Sequence, residues 1–360
     1  MTGTTVPTGT DTSPAADLDP TGTPPGPGDL ALVTGATGYI GGLLVPQLLE
    51  AGWRVRSLTR SAGRLTEDWA DRVEVVEGDA QDADDVRRAM EGVAVAYYLL
   101  HSMDGEGDFR ERDRRMASTF STAALEAGVS RLVYLSGLHP DGELSSHLAS
   151  RVEVGDILLD SGVPAAVLQA AVVIGDGSVS FEMLRYLTGR LPAMVAPKWL
   201  HNRIQPIAVD DVLHYLVGAA SLPAEVNRTF DIGGPDVLTY EEMMQGFAQV
   251  NGMRRRFIVT LPVLTPWLAG HWVGLVTPVA SGVAKPLVGS LVHEVVCKED
   301  DIVELVGEPE GGRTPYRTAV RLAMADADPD PVREVGPKIA AGVGAGMGLL
   351  ALGKVLARRR

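Results

Sequence analysis

The chain has 360 residues, 45% of them hydrophobic, and a formal net charge of −14 at pH 7. This length exceeds one average domain but falls short of two large ones, and the apolar fraction suits a protein with a sizeable core. A protein this acidic repels a phosphate backbone, so we expect no nucleic-acid partner. The single cysteine, Cys297, cannot form an internal disulfide, and we therefore expect a cytoplasmic protein.

The first 28 residues differ in composition from the rest of the chain. They are rich in Thr, Pro, Gly and Asp, with no Lys or Arg and no apolar run. Such a segment cannot bury enough apolar area to offset the entropy of ordering. We predict that residues 1–28 form a disordered leader, unlike a secretory signal or a presequence.

From Leu30 onward, short apolar runs alternate with helical stretches. Strands that alternate with helices indicate βαβ units, and hence an α/β fold with a buried parallel sheet. The predicted strands are 30–34, 55–58, 73–76, 93–100, 132–135, 165–168 and 229–232, and the predicted helices are 39–51, 83–90, 109–127 and 147–161.

A glycine-rich loop lies between the first strand and the first helix, where residues 30–41 read LALVTGATGYIG. In this context the first glycine permits a tight turn, the second lets the backbone approach a pyrophosphate, and the third allows close helix–strand packing. The helix N-terminus then faces the anion. We predict a dinucleotide site with contacts from Gly35, Thr37, Gly38, Tyr39, Ile40 and Gly41.

The end of the second strand indicates which dinucleotide is bound. An acidic residue there would bind the adenine-ribose 2′-hydroxyl, whereas an arginine accommodates a 2′-phosphate. This strand is followed by Arg60 and Arg64, with no acid before Glu67. The pattern favours NADP(H), and the alternative is an ordinary solvated basic loop.

The third strand ends in the sequence Glu-Gly-Asp-Ala at residues 77–80. Asp79, with Ala80 beside it, is placed to contact adenine, the carboxylate accepting from the amino group. Alternatively Asp79 caps the helix 83–90, a role that Asp82 can also fill.

These motifs resemble the NmrA-like, NAD(P)H-binding branch of the atypical short-chain dehydrogenase/reductases. The resemblance covers roughly 30–325 and implies a doubly wound Rossmann fold over 29–330, with a small C-terminal substrate or lid region at about 235–325. It also implies that Leu99, Leu100 and His101 line the nicotinamide side. The segments that carry it are 34–41 (TGATGYIG), 97–103 (YYLLHSM), 133–137 (VYLSG), 206–211 (PIAVDD) and 231–240 (DIGGPDVLTY).

The chain departs from this family at the catalytic residues. Typical members use a serine followed by a tyrosine and a lysine four residues apart. Ser136 matches the serine, but His147 stands at the tyrosine position and Arg151 at the lysine position. His147 could replace tyrosine as an acid/base group, because imidazole titrates near neutral pH. Otherwise the site binds cofactor without the usual chemistry. His101 is similarly open, as a proton donor, a substrate-orienting group or a structural residue.

Several other polar residues receive structural assignments. The histidines at 201, 214, 271 and 293 lack ligand-like spacing with cysteine or acids, so we predict no metal site. Asp210 and Asp211 are expected to cap a helix that begins near Val212. The apolar segment 261–296 contains four prolines and forms either a wall for an apolar substrate or helices that complete the core.

The C-terminal segment 337–360 joins an uncharged glycine-patterned run, 339–353, to five bases and no acid. The run is shorter than the roughly 20 residues that a spanning helix needs. We predict an interfacial helix that associates with an anionic membrane surface at the inner face of the cell membrane. A spanning helix and a solvated tail are the alternatives.

Together these features predict an NADP(H)-dependent oxidoreductase that acts on an apolar carbonyl, isoprenoid or quinone-like substrate. The alternative is a protein that binds NADP(H) without turnover, as a redox sensor or scaffold. An epimerase-like activity ranks lower because the Tyr–Lys pair is missing.

Overall fold

The computed structural model describes residues 23–100, 109–140, 142, 144–261, 277–278 and 292–325, except for the side chains of Arg64 and Leu261. Most of the predicted leader, His101, most of the apolar segment 261–296 and the tail 337–360 lie outside the described residues.

Most strands of the described chain are short and buried. In chain order they are β1 (Leu30–Thr34), β2 (Arg54–Thr59), β3 (Glu74–Glu77), β4 (Val95–Tyr98), β5 (Arg131–Gly137), β6 (Ala165–Ala170), β7 (Val173–Ile174), β8 (Ala193–Pro197), β9 (Arg203–Ile204), β10 (Ile207–Ala208), β11 (Arg228–Ile232), β12 (Leu238–Thr239) and β13 (Phe257–Leu261).

Seven of these strands form one parallel sheet, in the order β11-β6-β5-β4-β1-β2-β3. β1, β4 and β6 are buried along their whole length, as expected of strands that helices cover on both faces. All seven are the strands predicted from the apolar runs, with ends within two residues of the prediction. The predicted doubly wound parallel α/β fold is confirmed.

Helices cover both faces of the sheet. Polar residues begin three of them: Asp82 caps α2, Ser145 caps α4, and Thr239 forms a capping box with Glu242 at α7. In chain order the helices are α1 (Tyr39–Glu50), α2 (Ala83–Met90), α3 (Phe109–Glu126), α4 (Ser146–Leu159), α5 (Val179–Arg190), α6 (Val209–Ala219), α7 (Tyr240–Val250), α8 (Asp301–Val306) and α9 (Tyr316–Ala325).

The predicted capping role of Asp210 and Asp211 is wrong. β10 ends at Ala208 and α6 begins at once with Val209, so both carboxylates lie inside the first helical turn. Asp211 is buried and accepts hydrogen bonds from the Thr314 backbone N (2.8 Å) and Oγ1 (3.0 Å). Asp211 therefore holds the segment before α9 against the first turn of α6.

A second apolar core lies beside the sheet and is built from α5, α7, α9 and the short strand pairs β7–β10, β9–β12 and β8–β13. It includes α5 and β8, which precede the residue-235 start predicted for the substrate region. α5 follows β6 and β7 directly, so this second core meets the sheet at the carboxyl ends of its strands. No helix among the described residues is long and apolar enough to cross a bilayer.

Candidate functional site

The glycine loop brings α1 unusually close to the end of β1. Gly35 has φ +76°, and a Cβ there would lie 2.7 Å from the Leu99 carbonyl oxygen. A Cβ at Gly41 would lie 2.8 Å from the Gly35 carbonyl carbon and 2.9 Å from the Ala36 Cα. Side chains at these two positions would force the helix away from the strand, so the loop requires glycine for its shape.

A cavity of about 300 Å³ opens beside this loop, at the carboxyl ends of β1, β4, β5 and β6. In an open parallel sheet, this edge is where ligands bind. Its walls are mostly apolar, as in small-molecule sites generally. Ten residues predicted for the site line it, namely Gly35, Gly38, Tyr39, Ile40, Gly41, Leu99, Leu100, Ser136, His147 and Arg151.

Arg151 is held against the end of β5. Its Nη2 donates a hydrogen bond to the Leu135 carbonyl, and its guanidinium carbon lies 5.7 Å from the centroid of the Tyr134 ring. Ser136 Oγ donates to the Arg151 carbonyl at 3.4 Å. The buried Nε of Arg151 has no hydrogen-bond partner in the part of the chain that the structure describes. The Nε–H is therefore available to a bound group, while Nη2 holds the cation against the strand end.

His147 lies in the first turn of α4, and its imidazole is partly buried in the cavity wall. Burial, and then the nearby charge of Arg151, lower the pKa of His147 to about 4. The imidazole is consequently neutral at pH 7. A neutral ring can donate one hydrogen bond and accept another, but it does not carry an extra proton to give away.

Tyr39 extends from the start of α1 toward the loop after β7. Its buried phenol oxygen has no hydrogen-bond partner among the described residues, and a Cβ at Gly175 would collide with it. Burial, with the charges of Asp176 and Asp210, raises the pKa of Tyr39, so the phenol keeps its proton. Tyr39 and Arg151 line the same cavity, and each carries a buried donor without a partner among the described residues, which fits a ligand rich in oxygen acceptors.

The far end of the predicted dinucleotide site is more open. Arg60 follows β2 directly, is exposed and forms no ion pair with a described residue. Arg64 ends the short 3-10 helix Ala62–Arg64, which is anchored by the Ala62 backbone N donating to Glu77 Oε1 at 2.5 Å. Thr37 is exposed on the glycine loop and does not line the cavity.

Asp79 does not cap α2; Asp82 does. The Asp82 carboxylate accepts from the Asp84 and Asp85 backbone N atoms at 2.9 and 3.1 Å. Asp79 Oδ1 accepts from Gln81 N, and Asp79 N donates to Asp85 Oδ2 at 2.8 Å. Asp79 and Ala80 are half-buried at the end of β3. Their predicted adenine contacts stay predictions.

One wall of the cavity was not predicted from the sequence. Ser178, Val179 and Ser180, at the start of α5, line it together with Tyr134 and Val295. The segment Gly175-Asp-Gly-Ser178 is a turn followed by a helix-capping type of residue, and it could have indicated a helix start here. Among the described residues, no group of three His, Cys, Asp or Glu side chains is arranged to hold a metal ion.

Comparison with known proteins identifies the same region. Residues 35–173 match the family model described as NAD(P)H-binding. A ceramide reductase from Caulobacter vibrioides is 29% identical over 262 residues, which cover 70% of this chain and 81% of that protein. A sterol demethylase protein B from Methylococcus capsulatus is 30% identical over 193 residues, 46% of this chain and 59% of the relative.

Solved structures share the fold at low identity. The triphenylmethane reductase of Citrobacter sp., complexed with NADP(H), aligns with a TM-score of 0.64 at 19% identity, over 81% of this chain and 99% of its own. A UDP-N-acetylglucosamine 4-epimerase from Bacillus cereus aligns at 0.60 and 16%, over 85% and 99%. The glycine loop and most of the residues that line the cavity beside it lie within 35–173, so this part of the chain carries the match to NAD(P)H-binding proteins.

Proposed function

We propose that this protein is an NADPH-dependent reductase of an apolar, lipid-like carbonyl compound. The observation that carries the proposal is the mostly apolar cavity. Residues of the glycine loop line it together with the polar side chains of Ser136, His147 and Arg151. An apolar wall with a few convergent polar groups suits a hydrophobic substrate that has one reacting polar centre.

The names of the relatives support this substrate class. The Caulobacter relative is a ceramide reductase, and the Methylococcus relative is a sterol demethylase protein. A 3β-hydroxysteroid dehydrogenase/isomerase from Mycobacterium tuberculosis is 31% identical over 115 residues, 29% of this chain. Long-chain and steroidal ketones are therefore the first substrates to test.

The residues of the cavity have distinct proposed roles. The cofactor, when bound, supplies a hydride to the carbonyl carbon. His147, as a neutral imidazole, and Ser136 donate hydrogen bonds to the carbonyl oxygen as negative charge develops there, and solvent supplies the proton that completes the alcohol. Arg151 Nε and the Tyr39 hydroxyl hold the cofactor. Arg60, with Arg64, is proposed to select the 2′-phosphate, and hence NADPH.

The test is NADPH oxidation by the purified protein with a panel of long-chain and steroidal ketones. Absorbance reports the cofactor, and mass spectrometry reports the alcohol. We expect stoichiometric alcohol formation with at least one member of the panel. NADPH that binds tightly but is not oxidised by any member would contradict the reductase proposal.

A second function, NADP(H) binding without turnover, is supported by three observations. The Tyr–Lys pair is absent, the low pKa of His147 removes a proton donor, and Arg151 is engaged with the β5 carbonyl. A sensor or scaffold would bind NADPH and NADP⁺ with clearly different affinities and change a partner contact. Titration of both redox forms, followed by comparison of their hydrogen-exchange patterns, distinguishes it from the reductase.

A further inference from the structure

We propose that the protein docks on an anionic lipid bilayer through the exposed face of the β8–β13 strand pair. The proposed docking depends neither on the reaction nor on the tail 337–360. Charge is unevenly distributed along the sequence. The segments 183–209 and 243–293 contain no Asp or Glu, although the chain has 46 acidic residues and only 32 basic ones.

The fold brings these two acid-free segments together. β8 lies in the first and β13 in the second, and the strands pair in parallel with Phe257 opposite Ala193 and Val259 opposite Val195. The intervening residue, Ile258, packs toward the second apolar core. The strand pair therefore has one face in the core and the other at the surface.

The surface side of this pair is apolar. Phe257 is 68% exposed and Val259 40%, the former being the most exposed of the large hydrophobic side chains in the described chain. The two side chains lie on the same face because they are two residues apart on one strand. With Ala193 and Val195 beside them, they form a continuous apolar strip, which we name the β8–β13 face. Apolar strips of this kind mark sites of association.

Cations lie at both ends of the β8–β13 face. Arg254 and Arg255 are exposed just before β13 and form no ion pair with a described residue, and Lys198 is exposed just after β8. The bordering carboxylates of α7 are engaged locally: Glu242 completes the capping box, and Glu241 Oε2 lies 3.5 Å from His201 Nδ1. An aromatic and aliphatic strip flanked by exposed basic side chains complements an anionic bilayer, whose headgroups attract the cations while the apolar side chains insert.

The test uses the full chain in flotation assays with vesicles of phosphatidylcholine alone or mixed with phosphatidylglycerol. The triple variant Arg254→Gln, Arg255→Gln, Phe257→Ser removes two charges and the most exposed ring. Each basic side chain near an anionic surface contributes about fivefold to partitioning, so the two arginines account for roughly 30-fold. Replacing Phe257 weakens vesicle binding further. This part of the effect persists at high salt, whereas the contribution of the two arginines decreases there.

The control makes comparable changes elsewhere: Leu125→Ser, Arg87→Gln and Arg115→Gln alter exposed residues of α2 and α3, of which Arg87 is paired with Asp84 and Glu126. The tail is identical in all proteins, so its contribution cancels in the ratio of variant to control. A second variant, Arg254→Glu with Arg255→Glu, keeps Phe257 and alters only exposed charges, which protects the test against a folding defect.

We expect the control to float like the wild type with phosphatidylglycerol vesicles, and both β8–β13 variants to float at least tenfold less. NADPH affinity should be unchanged in all of them. Equal flotation of the variants and the control would overturn the proposal. So would failure of the wild type to bind anionic vesicles at low salt, an outcome that would leave an acidic protein as the partner class for this face.

Discussion

Arg60 is the side chain on which the proposed choice of NADPH over NADH depends. It is exposed after β2 and forms no ion pair with a described residue, so its charge is available to a 2′-phosphate. Arg60→Gln should weaken NADPH binding on the order of tenfold and leave NADH binding unchanged, because only NADPH carries that phosphate. Isothermal titration of both cofactors measures this. An equal loss for both cofactors, or equal affinities in the wild type, would contradict the assignment.

His147 should make stability depend on pH. Its pKa is about 4 in the folded protein, against about 6.5 for an unperturbed histidine, so between these values the unfolded state binds more protons. This contribution to stability is complete above pH 6.5 and decreases as pH falls toward 4. His147→Gln should reduce the difference in unfolding free energy between about pH 7 and 4.5 by roughly 2 kcal/mol.

Urea unfolding at both pH values checks the prediction for His147. His201→Gln, at an exposed position, is the control and should retain the pH dependence of the wild type. If His147→Gln retained it as well, the buried imidazole would not be the group responsible.

The proposed catalytic role of His147 makes a separate prediction. As a neutral donor to the developing oxyanion, its loss in His147→Phe should lower kcat on the order of 100-fold. NADPH affinity should change little, because Arg151 and the glycine loop remain. A wild-type kcat that decreases as the pH rises through about 6.5 would instead indicate that a protonated acid, and not a neutral donor, serves the reaction.

At the scale of elements, the contact between α1 and the end of β1 gives a sharp comparison of two adjacent glycines. Gly41→Ala places a methyl group against the Gly35 carbonyl, so α1 must shift. We expect at least tenfold weaker NADPH binding and a loss of about 1–3 kcal/mol in stability. At Gly42, a Cβ would meet only the Ala36 carbonyl oxygen at 3.5 Å, an ordinary contact.

Gly42→Ala is therefore the matched control. It should keep NADPH affinity and gain up to about 1 kcal/mol of stability, because alanine favours the helix. Chemical unfolding and cofactor titration of both variants measure the pair. Similar behaviour of the two variants would show that close packing at position 41 is not what orders the loop.

The same elements show what the sequence could predict. The seven strands of the central sheet were predictable because buried parallel strands are continuous apolar runs. The two-residue strands β7, β9, β10 and β12 were not, because only their tertiary pairing defines them. Ser136, His147 and Arg151 were predictable as neighbours because the family resemblance places them at the serine, tyrosine and lysine positions of one site. The hydrogen bond from Arg151 to the Leu135 carbonyl depends on side-chain packing and has no sequence signal.

At the scale of the whole molecule, the tail 337–360 is predicted to associate with anionic membranes. Its five bases contribute an electrostatic attraction to the membrane that salt weakens. Its apolar run contributes a hydrophobic attraction that salt does not weaken. Deleting 337–360 should lower flotation with anionic vesicles and leave NADPH binding intact. Substituting glutamine for the three terminal arginines should give a weaker association that salt affects little. Flotation of the truncated chain equal to that of the full chain would refute this role.

The order of strands across the central sheet affects how the chain folds during synthesis. After β1 and β2 pair, every later strand joins an outer edge: β3 beside β2, β4 beside β1, and then β5, β6 and β11 in succession. No strand has to be inserted between two that are already paired. Since chains emerge at roughly 5–20 residues per second, the sheet can grow in the order of translation. The glycine loop acquires its Leu99 neighbour once β4 is in place, long before the ribosome reaches the second apolar core.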